Sequence, residues 1–500
     1  MTNLITKSEL LSGIRCPRQL WLRTYQANLA RPFATSELAA AAGIELGNIA
    51  RCKYKEGVLV GHVEQPDLAV INTSRLLSGD KAVPLFEAAF VHGDVLMRTD
   101  LLVPSAVGWR MVELKSSGSV KDRHLIDCAV QLWVLEGTGI SVSKVCLAHV
   151  DGSFEYAGFG DYAGLLIEED VTDKVREILG DVPHWLDAHQ DILSGAKPDM
   201  RMEGKCDGCV FLNHCGLDMP EYPVSILPYG RKLVDELQEA GIADVRDIPA
   251  GLLNSERHVI VWRATQTGTA YISRVLQEEM AKLSYPRFFL DFESINFVIP
   301  RWVGTRPNQQ IPFQWSCHIE REENELEHRE FLDASGHAPM RAFAESLIAG
   351  VEEKGPIIVY GAFEQTILKQ LITFCPDLER PLRDIIDRLT DLLPMLREHY
   401  YHPNMKGSWS IKAVLPTIAP HLDYAMLEEV QNGMMAQQAY MNIINPDTTS
   451  EQREQTICNL LKYCELDTLA MVEIVSYFER SGALSERNLA LPMQNTTSSG

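Results

Sequence analysis

Two acids, Asp291 and Glu293, stand in the otherwise apolar run FFLDFESINF at 288–297. In an extended strand alternate side chains share a face, so Leu290 and Phe292 point one way and the two carboxylates the other. Two like charges on an apolar strand are costly to bury unless a cation sits between them. Hard divalent cations take carboxylate oxygens, so a metal is the simplest reading; a sheet edge with one wet face is the alternative. Near the other end of the chain, Tyr463 and Asp467 in LLKYCELDTLAMVEIVSYF are four apart and share a helical face.

A second set lies in the first half: Asp100 in RTDLLV, Glu113 and Lys115 in WRMVELKSS, and Gln131 in KDRHLIDCAVQLWVLE. Asp100 and Glu113 could hold Mg²⁺ or Mn²⁺, and such a cation lowers the pKa of a bound water. Lys115 could orient that water or stabilise charge on a phosphate. Gln131 could contact a nucleic-acid backbone or the attacking water. Cys16 together with Cys206, Cys209 and Cys215 (C-x2-C-x5-C) makes four thiolates, which suit an iron–sulfur cluster or a Zn²⁺ ion.

The elements that must carry these groups follow from periodicity. Residues 36–51 read as an alanine-rich helix with Glu37 and Glu45. Residues 85–90, 95–103 and 109–115 alternate as strands, joined by the turns His92-Gly93-Asp94 and 105–108. A helix over 121–136 and a strand over 145–150 come next. In the second half, the strand PIIVY (356–360) runs into Gly361-Ala362-Phe363-Glu364 and a helix, and Thr390-Asp391 opens another helical segment. Between the halves, residues 217–285 begin with Pro220, Pro223 and Pro228 and continue as helical pieces. Arg301, Trp302 and Arg306, and likewise Lys406, Trp409 and Lys412, interleave cations with an aromatic ring. That pattern suits a single strand whose bases stack on Trp; a core Trp flanked by solvated lysines is the alternative. Residues 481–500 read as a frayed, disordered tail.

Five hundred residues imply two or three domains, and a hydrophobic share of 46% is ample for their cores. A net charge of -22 gives no global attraction to nucleic acid or anionic membrane, though a local basic lining could still hold phosphates. Eleven cysteines, an odd number, argue against a disulfide scaffold. No apolar run suits a signal peptide or a membrane span, so the expectation is a soluble cytoplasmic protein.

The set Asp100, Glu113-Leu114-Lys115 and Gln131 resembles the PD-(D/E)XK nucleases of the RecB-like branch. The split cysteines and CPRQLWL at 16–22 resemble the iron–sulfur, CRISPR-associated members of that group. The resemblance covers about residues 1–220 and implies a [4Fe-4S] cluster, with Zn²⁺ as the alternative, clipping the two ends of the domain together. This chain departs from the pattern in two places: Gly47 stands where relatives often have His, and Leu135 where an aromatic often follows the Gln. Glu45 is a candidate for the missing ligand.

The strand acids, the acid after a second strand and Tyr-x3-Asp on a late helix resemble the DEDDy exonucleases of the RNase H-like, DnaQ type, over about residues 285–480. That resemblance implies Asp291, Glu293, Glu364 and Asp467 as metal ligands, Tyr463 as the group that positions or deprotonates water, and 3′→5′ trimming. Glu364 replaces the usual Asp, and Asp391 is its backup. Residues 221–284 resemble a helix-hairpin-helix connector, with a plain helical linker equally open.

The expected fold is thus α/β, a PD-(D/E)XK restriction-endonuclease-like domain joined to an RNase H-like domain. The expected partner is nucleic acid, DNA before RNA, and no membrane; protein partners stay open. A one-site exonuclease whose first half only clamps DNA and a non-catalytic scaffold with decayed sites are the competing readings.

Overall fold

The computed structural model describes residues 4–31, 34–61, 65–199, 206, 208–323, 325–427 and 429–480, with the side chains of 34–37 left aside. The tail expected at 481–500 lies outside these residues. The chain is mixed α/β and divides into two compact units. One comprises 1–218 with 296–309; the other comprises 219–295 with 310–500.

The first unit is built on a seven-stranded sheet: β1 (Ile5–Thr6), β2 (Val58–Leu59), β3 (Leu85–His92), β4 (Val95–Ser105), β5 (Gly108–Lys115), β6 (Val142–Val150) and β7 (Leu166–Asp170). Its order is β2-β3-β4-β5-β6-β7, with β1 pairing β4. β3, β4 and β5 are antiparallel neighbours, while β5 and β6 run parallel. The β3–β4 turn has φ of 53° at Gly93 and 63° at Asp94, the twist a two-residue hairpin needs. Alternation divides the apolar residues between two cores. Leu102, Met111 and Leu147 pack with Leu132 and Ala129 of the helix Asp122–Gly137. Leu101, Val112 and Cys146 pack with Leu46 and Ala50 of the helix Ala34–Cys52.

The second unit contains β8 (Tyr271–Ile272), β9 (Arg287–Asn296), β10 (Gln310–Glu320), β11 (Leu326–Leu332), β12 (Ile357–Val359), β13 (Leu389–Asp391) and β14 (Tyr400–Tyr401). Five of these form a sheet in the order β11-β10-β9-β12-β13. β12 is parallel to both β9 and β13, so the ends of these three strands that carry acids or lead into them lie together. The helix Ser450–Arg480 has 31 residues and packs Leu460, Met471 and Ile474 inward.

The segment 221–284 is not a free-standing connector. Val224, Leu227, Val234, Val245 and Val261 share one core with Phe289, Ile358 and Val475, and β8 pairs with β14. The helix Arg231–Glu239 is strongly amphipathic, and its apolar stripe alone would be marginal in water; burial against the sheet unit supplies its stability. Gly407 marks the join. Its φ is 78°, and a Cβ there would lie 2.0 Å from the Ile226 carbonyl oxygen. Gly407→Ala should therefore cost about 2–4 kcal/mol and lower the melting temperature by several degrees. An unchanged thermal melt would show that 221–284 is not seated against this turn.

Candidate active sites

In the first unit, strand register brings the acids together. Leu101 pairs with Val112, so Asp100 and Glu113 are neighbours across β4 and β5, and Asp100 Oδ2 accepts the Leu114 N–H at 2.7 Å. Glu87, with φ of 55°, falls between the Phe86–Leu101 and Ala88–Thr99 pairs, at the level of Asp100. Glu113 and Lys115 share the strand face of Met111 and meet the helix Asp122–Gly137. Gln131 donates to Glu113 Oε2 at 2.7 Å and to Asp127 Oδ1 at 3.0 Å. Lys115 bridges Glu113 at 2.7 Å and Asp127 at 2.6 Å.

Besides Glu87, two participants had no place in the sequence-based set. Lys7 reaches Asp127 at 2.8 Å and Glu113 at 3.3 Å, and Asp127 is the shared partner of both lysines. Asp127 precedes Gln131 by one helical turn, a spacing that could have singled it out; nothing local marks Lys7, 106 residues from Glu113. Burial opposes ionisation of Asp127, yet Lys7 and Lys115 outweigh it and hold the carboxyl well below its usual range. At Asp100 the Lys7 charge is only a smaller, opposing effect. Burial, then the Glu113 charge, push its pKa well up. A cleft of about 390 Å³ opens beside these groups, lined in part by Gly43, Gly47 and Arg51, together with Glu87, Asp100 and Glu113. Glu45 is not among its lining residues.

The four cysteines are free thiols, and Cys206 has Cys16, Cys209 and Cys215 as electrostatic neighbours. Burial raises the Cys206 thiol, and the other three add to that shift. Gln19 lies 3.4 Å from Cys209 Sγ, and Leu22, Phe211 and Cys209 form a small core beside the cysteines.

The second unit holds the denser acid set. Asp291 and Glu293 lie on β9, Glu364 begins the helix Phe363–Phe374 that follows β12, and Asp467 lies on the long C-terminal helix. Oxygens of Asp291, Glu293 and Asp467 all fall within 4.8 Å of one another. Burial raises the pKa of every member. Asp291 is pushed well up by burial and then by Asp467, Glu364 and Glu293. Burial and then Asp467 push Glu293 to about 8. Burial likewise takes Glu364 to about 8. Asp467 reaches about 6, restrained by a Tyr424 hydrogen bond and the Lys412 charge. Glu364 Oε2 is buried with no hydrogen-bond partner among the described residues. Asp391, the backup candidate, is occupied: its Oδ1 accepts the N–H of Gly361 at 2.7 Å and of Leu393 at 2.9 Å, capping the next helix.

Tyr463, buried on the same helix, accepts a hydrogen bond from Lys412 Nζ at 2.8 Å. Lys412 also donates to the Gln431 carbonyl at 2.8 Å and lies 4.9 Å from the centre of the Tyr424 ring. Tyr424 donates to Asp467 Oδ1 at 2.5 Å. Lys412, a candidate nucleic-acid contact by sequence, lies beside the acid set in the fold. Tyr424 had no local signal.

Trp409 is corrected outright as a base-stacking platform. It is 6% exposed, its Nε1–H donates to the Tyr400 carbonyl at 2.7 Å, and its ring rests against Tyr401. An indole packed on the β8–β14 pair is removed from any strand in solvent. Lys406 is exposed, in a left-handed turn. Arg301 lies over the Phe297 ring, and Arg306 pairs with Glu155 at 3.1 Å; both belong to the 296–309 segment of the first unit.

These shifts give a pH test. Ordinary carboxyls titrate near pH 4, whereas Glu293 and Glu364 stay protonated in the fold to about pH 8. Folded values above the unfolded ones mean stability that is complete below about pH 4 and is lost as pH rises through about 8. The chelated protein should melt at a lower temperature at ~pH 8.5 than at ~pH 5. Mg²⁺ or Mn²⁺ should raise the melting temperature more at the higher pH, where fewer protons compete. Equal metal-induced shifts at both pH values would contradict a buried acid set that binds cations.

The family described as Domain of unknown function (DUF2779) matches residues 288–410, a stretch that includes Asp291, Glu293 and Glu364 and ends before Asp467. Uncharacterized protein UU173 of Ureaplasma parvum serovar 3 is 28% identical over 222 residues, which are 40% of this chain and 32% of that protein. The chain thus spans about a third of that relative's length. A solved structure described as Crystal structure of SSO0001 is 16% identical and covers 44% of this chain and 89% of its own, with a TM-score of 0.23.

Proposed function

We propose that the chain is a metal-dependent nuclease that hydrolyses phosphodiester bonds in DNA or RNA at two separate sites. In this reading the first unit is a RecB-like PD-(D/E)XK domain. The second is an RNase H-like DEDDy domain that trims 3′→5′. Such a protein would act in DNA repair, mobile-element processing or antiviral defence. The observation that carries the reading is the convergence of Asp291, Glu293 and Asp467 within 4.8 Å, with Glu364 buried beside them. Burial raises the pKa of all four carboxylates, and for Asp291, Glu293 and Glu364 repulsion from neighbouring acids adds to it.

Asp291, Glu293, Glu364 and Asp467 would hold Mg²⁺ or Mn²⁺. The orphaned Glu364 Oε2 supports that fit. Such cations, when bound, polarise the phosphodiester and activate water. The chain's own groups do the rest. Tyr424 fixes one oxygen of Asp467, and Tyr463 also hydrogen-bonds that carboxylate. The Tyr463 oxygen accepts from Lys412, which frees the phenolic proton to orient a water or Asp467. In the first unit, Asp100 and Glu113 would hold the cation, Lys115 stands ready to stabilise phosphate charge, and Gln131 anchors Glu113.

The cysteine quartet fits a bound inorganic group, since it brings four free thiols together without a disulfide. Among the described residues, the sets with ligand atoms within 4.8 Å of one another contain no cysteine. Cys16, Cys206, Cys209 and Cys215 would hold a [4Fe-4S] cluster, as the family resemblance implies, or Zn²⁺ as the alternative.

Digestion of labelled single- and double-stranded DNA and RNA with Mg²⁺ or Mn²⁺ tests the main reading. Asp100→Ala and Asp291→Ala should each abolish one product pattern, and the double variant should lose activity by roughly 100-fold or more. Unchanged cleavage in both single variants would overturn it. Anaerobically purified protein should be brown, absorbing at about 400 nm, with the colour lost in Cys209→Ser. A colourless, zinc-bearing protein would reverse that assignment.

A second reading has its own observation. Lys7 and Lys115 already neutralise Glu113 and Asp127, so the first unit could hold DNA without cutting it. Lys115→Ala would then weaken binding and leave cleavage intact.

A further inference from the structure

We propose a further metal site in the second unit, formed by His318, His328 and Glu465 and suited to Zn²⁺ or a similar borderline transition-metal ion. It does not rest on the nuclease reading.

The hairpin of β10 and β11 sets up the site. Its register places His318 directly opposite His328, and Ser316 opposite Glu330. Residues 316 and 318, and 328 and 330, point to one face by alternation. The C-terminal helix covers that face with Glu465 and Thr468. Ligand atoms of His318, His328 and Glu465 all lie within 4.8 Å of one another. The two imidazole centres are 4.6 Å apart, and His328 Nδ1 is 3.9 Å from Glu465 Oε1.

Hydroxyl groups fix which ring nitrogens are free. Thr468 Oγ1 lies 2.9 Å from the Glu465 carbonyl oxygen, which can only accept, so the Thr468 proton goes there. The Thr468 oxygen then accepts from His318 Nδ1 at 2.8 Å and from the Ser316 hydroxyl at 2.9 Å. With its proton spent, Ser316 accepts from His328 Nε2 at 2.9 Å. With both rings neutral, His318 Nε2 and His328 Nδ1 are left as lone pairs, and His328 Nδ1 faces a carboxylate. Two lone pairs and an anion repel unless a proton or a metal ion joins them. The arrangement is the one metal-binding histidines use: one nitrogen on the ion, the other held by a second group that sets the tautomer.

Ligand chemistry selects the ion. Two imidazoles and one carboxylate suit Zn²⁺ and its neighbours, whereas Mg²⁺ and Ca²⁺ favour all-oxygen sets. Access is open on one side, since the side chains of His328 and Glu465 are 22% and 46% exposed while His318 is buried. Glu330, on the same face, is near enough for its charge to be felt by both. A bound ion would pin residues 465–468 of the helix to the hairpin. Asp467 lies in that stretch and Tyr463 two residues before it, so the ion would also fix their position.

Equilibrium dialysis of the full-length chain against Zn²⁺, with excess Mg²⁺ present for the acid set, tests the proposal. Wild type should retain one zinc per chain more than His328→Ala or Glu465→Gln, whatever the cysteines bind, because they are the same in all three. X-ray absorption of the wild type should show imidazole scattering that His328→Ala reduces. Asp291→Asn should keep the extra zinc. Equal zinc content in wild type and Glu465→Gln, or a ligand shell without nitrogen, would leave only a histidine–glutamate ion pair and overturn the proposal. Both substituted side chains are partly exposed, and a circular-dichroism melt checks that the variants fold. Should His328→Ala fail that check, Glu465→Gln decides alone.

Discussion

Electrostatic repulsion among Asp291, Glu293, Glu364 and Asp467 is the constraint the second unit is built around. Each group is buried, and burial is the largest cause of every upward pKa shift among them. Such a set persists in a fold only when its charge is cancelled by protons or by cations. The neighbours relieve it only in part. Cys464 approaches Asp291, Tyr424 donates to Asp467, and Lys412 brings one positive charge that burial itself makes less basic. The first unit meets the same difficulty differently. There two lysines lie between Glu113 and Asp127, while burial still raises the pKa of Asp100 and of Glu87.

Holding repelling groups together requires a rigid frame. The strands β9, β12 and β13 run parallel, so Asp291, Asp391 and the turn leading to Glu364 emerge at one edge, where open α/β sheets usually bind ligands. The C-terminal helix must then arrive in register. Arg287, four residues before Asp291, is 1% exposed and fixes that register. It donates to Glu320 on β10 at 2.6 Å and to both oxygens of Glu479 at 2.7 and 2.9 Å. A largely buried ion triad, with Glu479 26% exposed, adds little net stability but disfavours misplaced packing. It therefore anchors the helix end from which Asp467 and Tyr463 are positioned. If zinc occupies His318, His328 and Glu465, the helix is anchored a second time, close to the acids themselves.

Chemical type and local period were legible in the sequence. Alternation in FFLDFESINF put Asp291 and Glu293 on one face, and the four-residue step put Tyr463 with Asp467. The His92-Gly93-Asp94 turn and the strands around it were equally plain, because side-chain direction and turn dihedrals are properties of a few adjacent residues. Trp409 shows where such reasoning fails. Flanking lysines look the same whether the ring between them faces solvent or a core, and the packing on Tyr401 decided it. Segment 221–284 fails similarly: its amphipathic helices announce a buried face without saying what covers it.

The chain alone therefore marked Asp291, Glu293 and Asp467 as candidate cation ligands and showed which strands and helices would carry them. Only the tertiary structure decided which distant groups meet. Lys7 reaches Glu113 across 106 positions, Tyr424 reaches Asp467 across 43, and His318 meets His328 only through hairpin register. It also separated Glu364, left with an unpaired oxygen, from Asp391, used up as a helix cap. The reason is physical: periodicity is set by backbone geometry within a few residues, whereas convergence is set by how whole faces pack, and no local pattern records its partner.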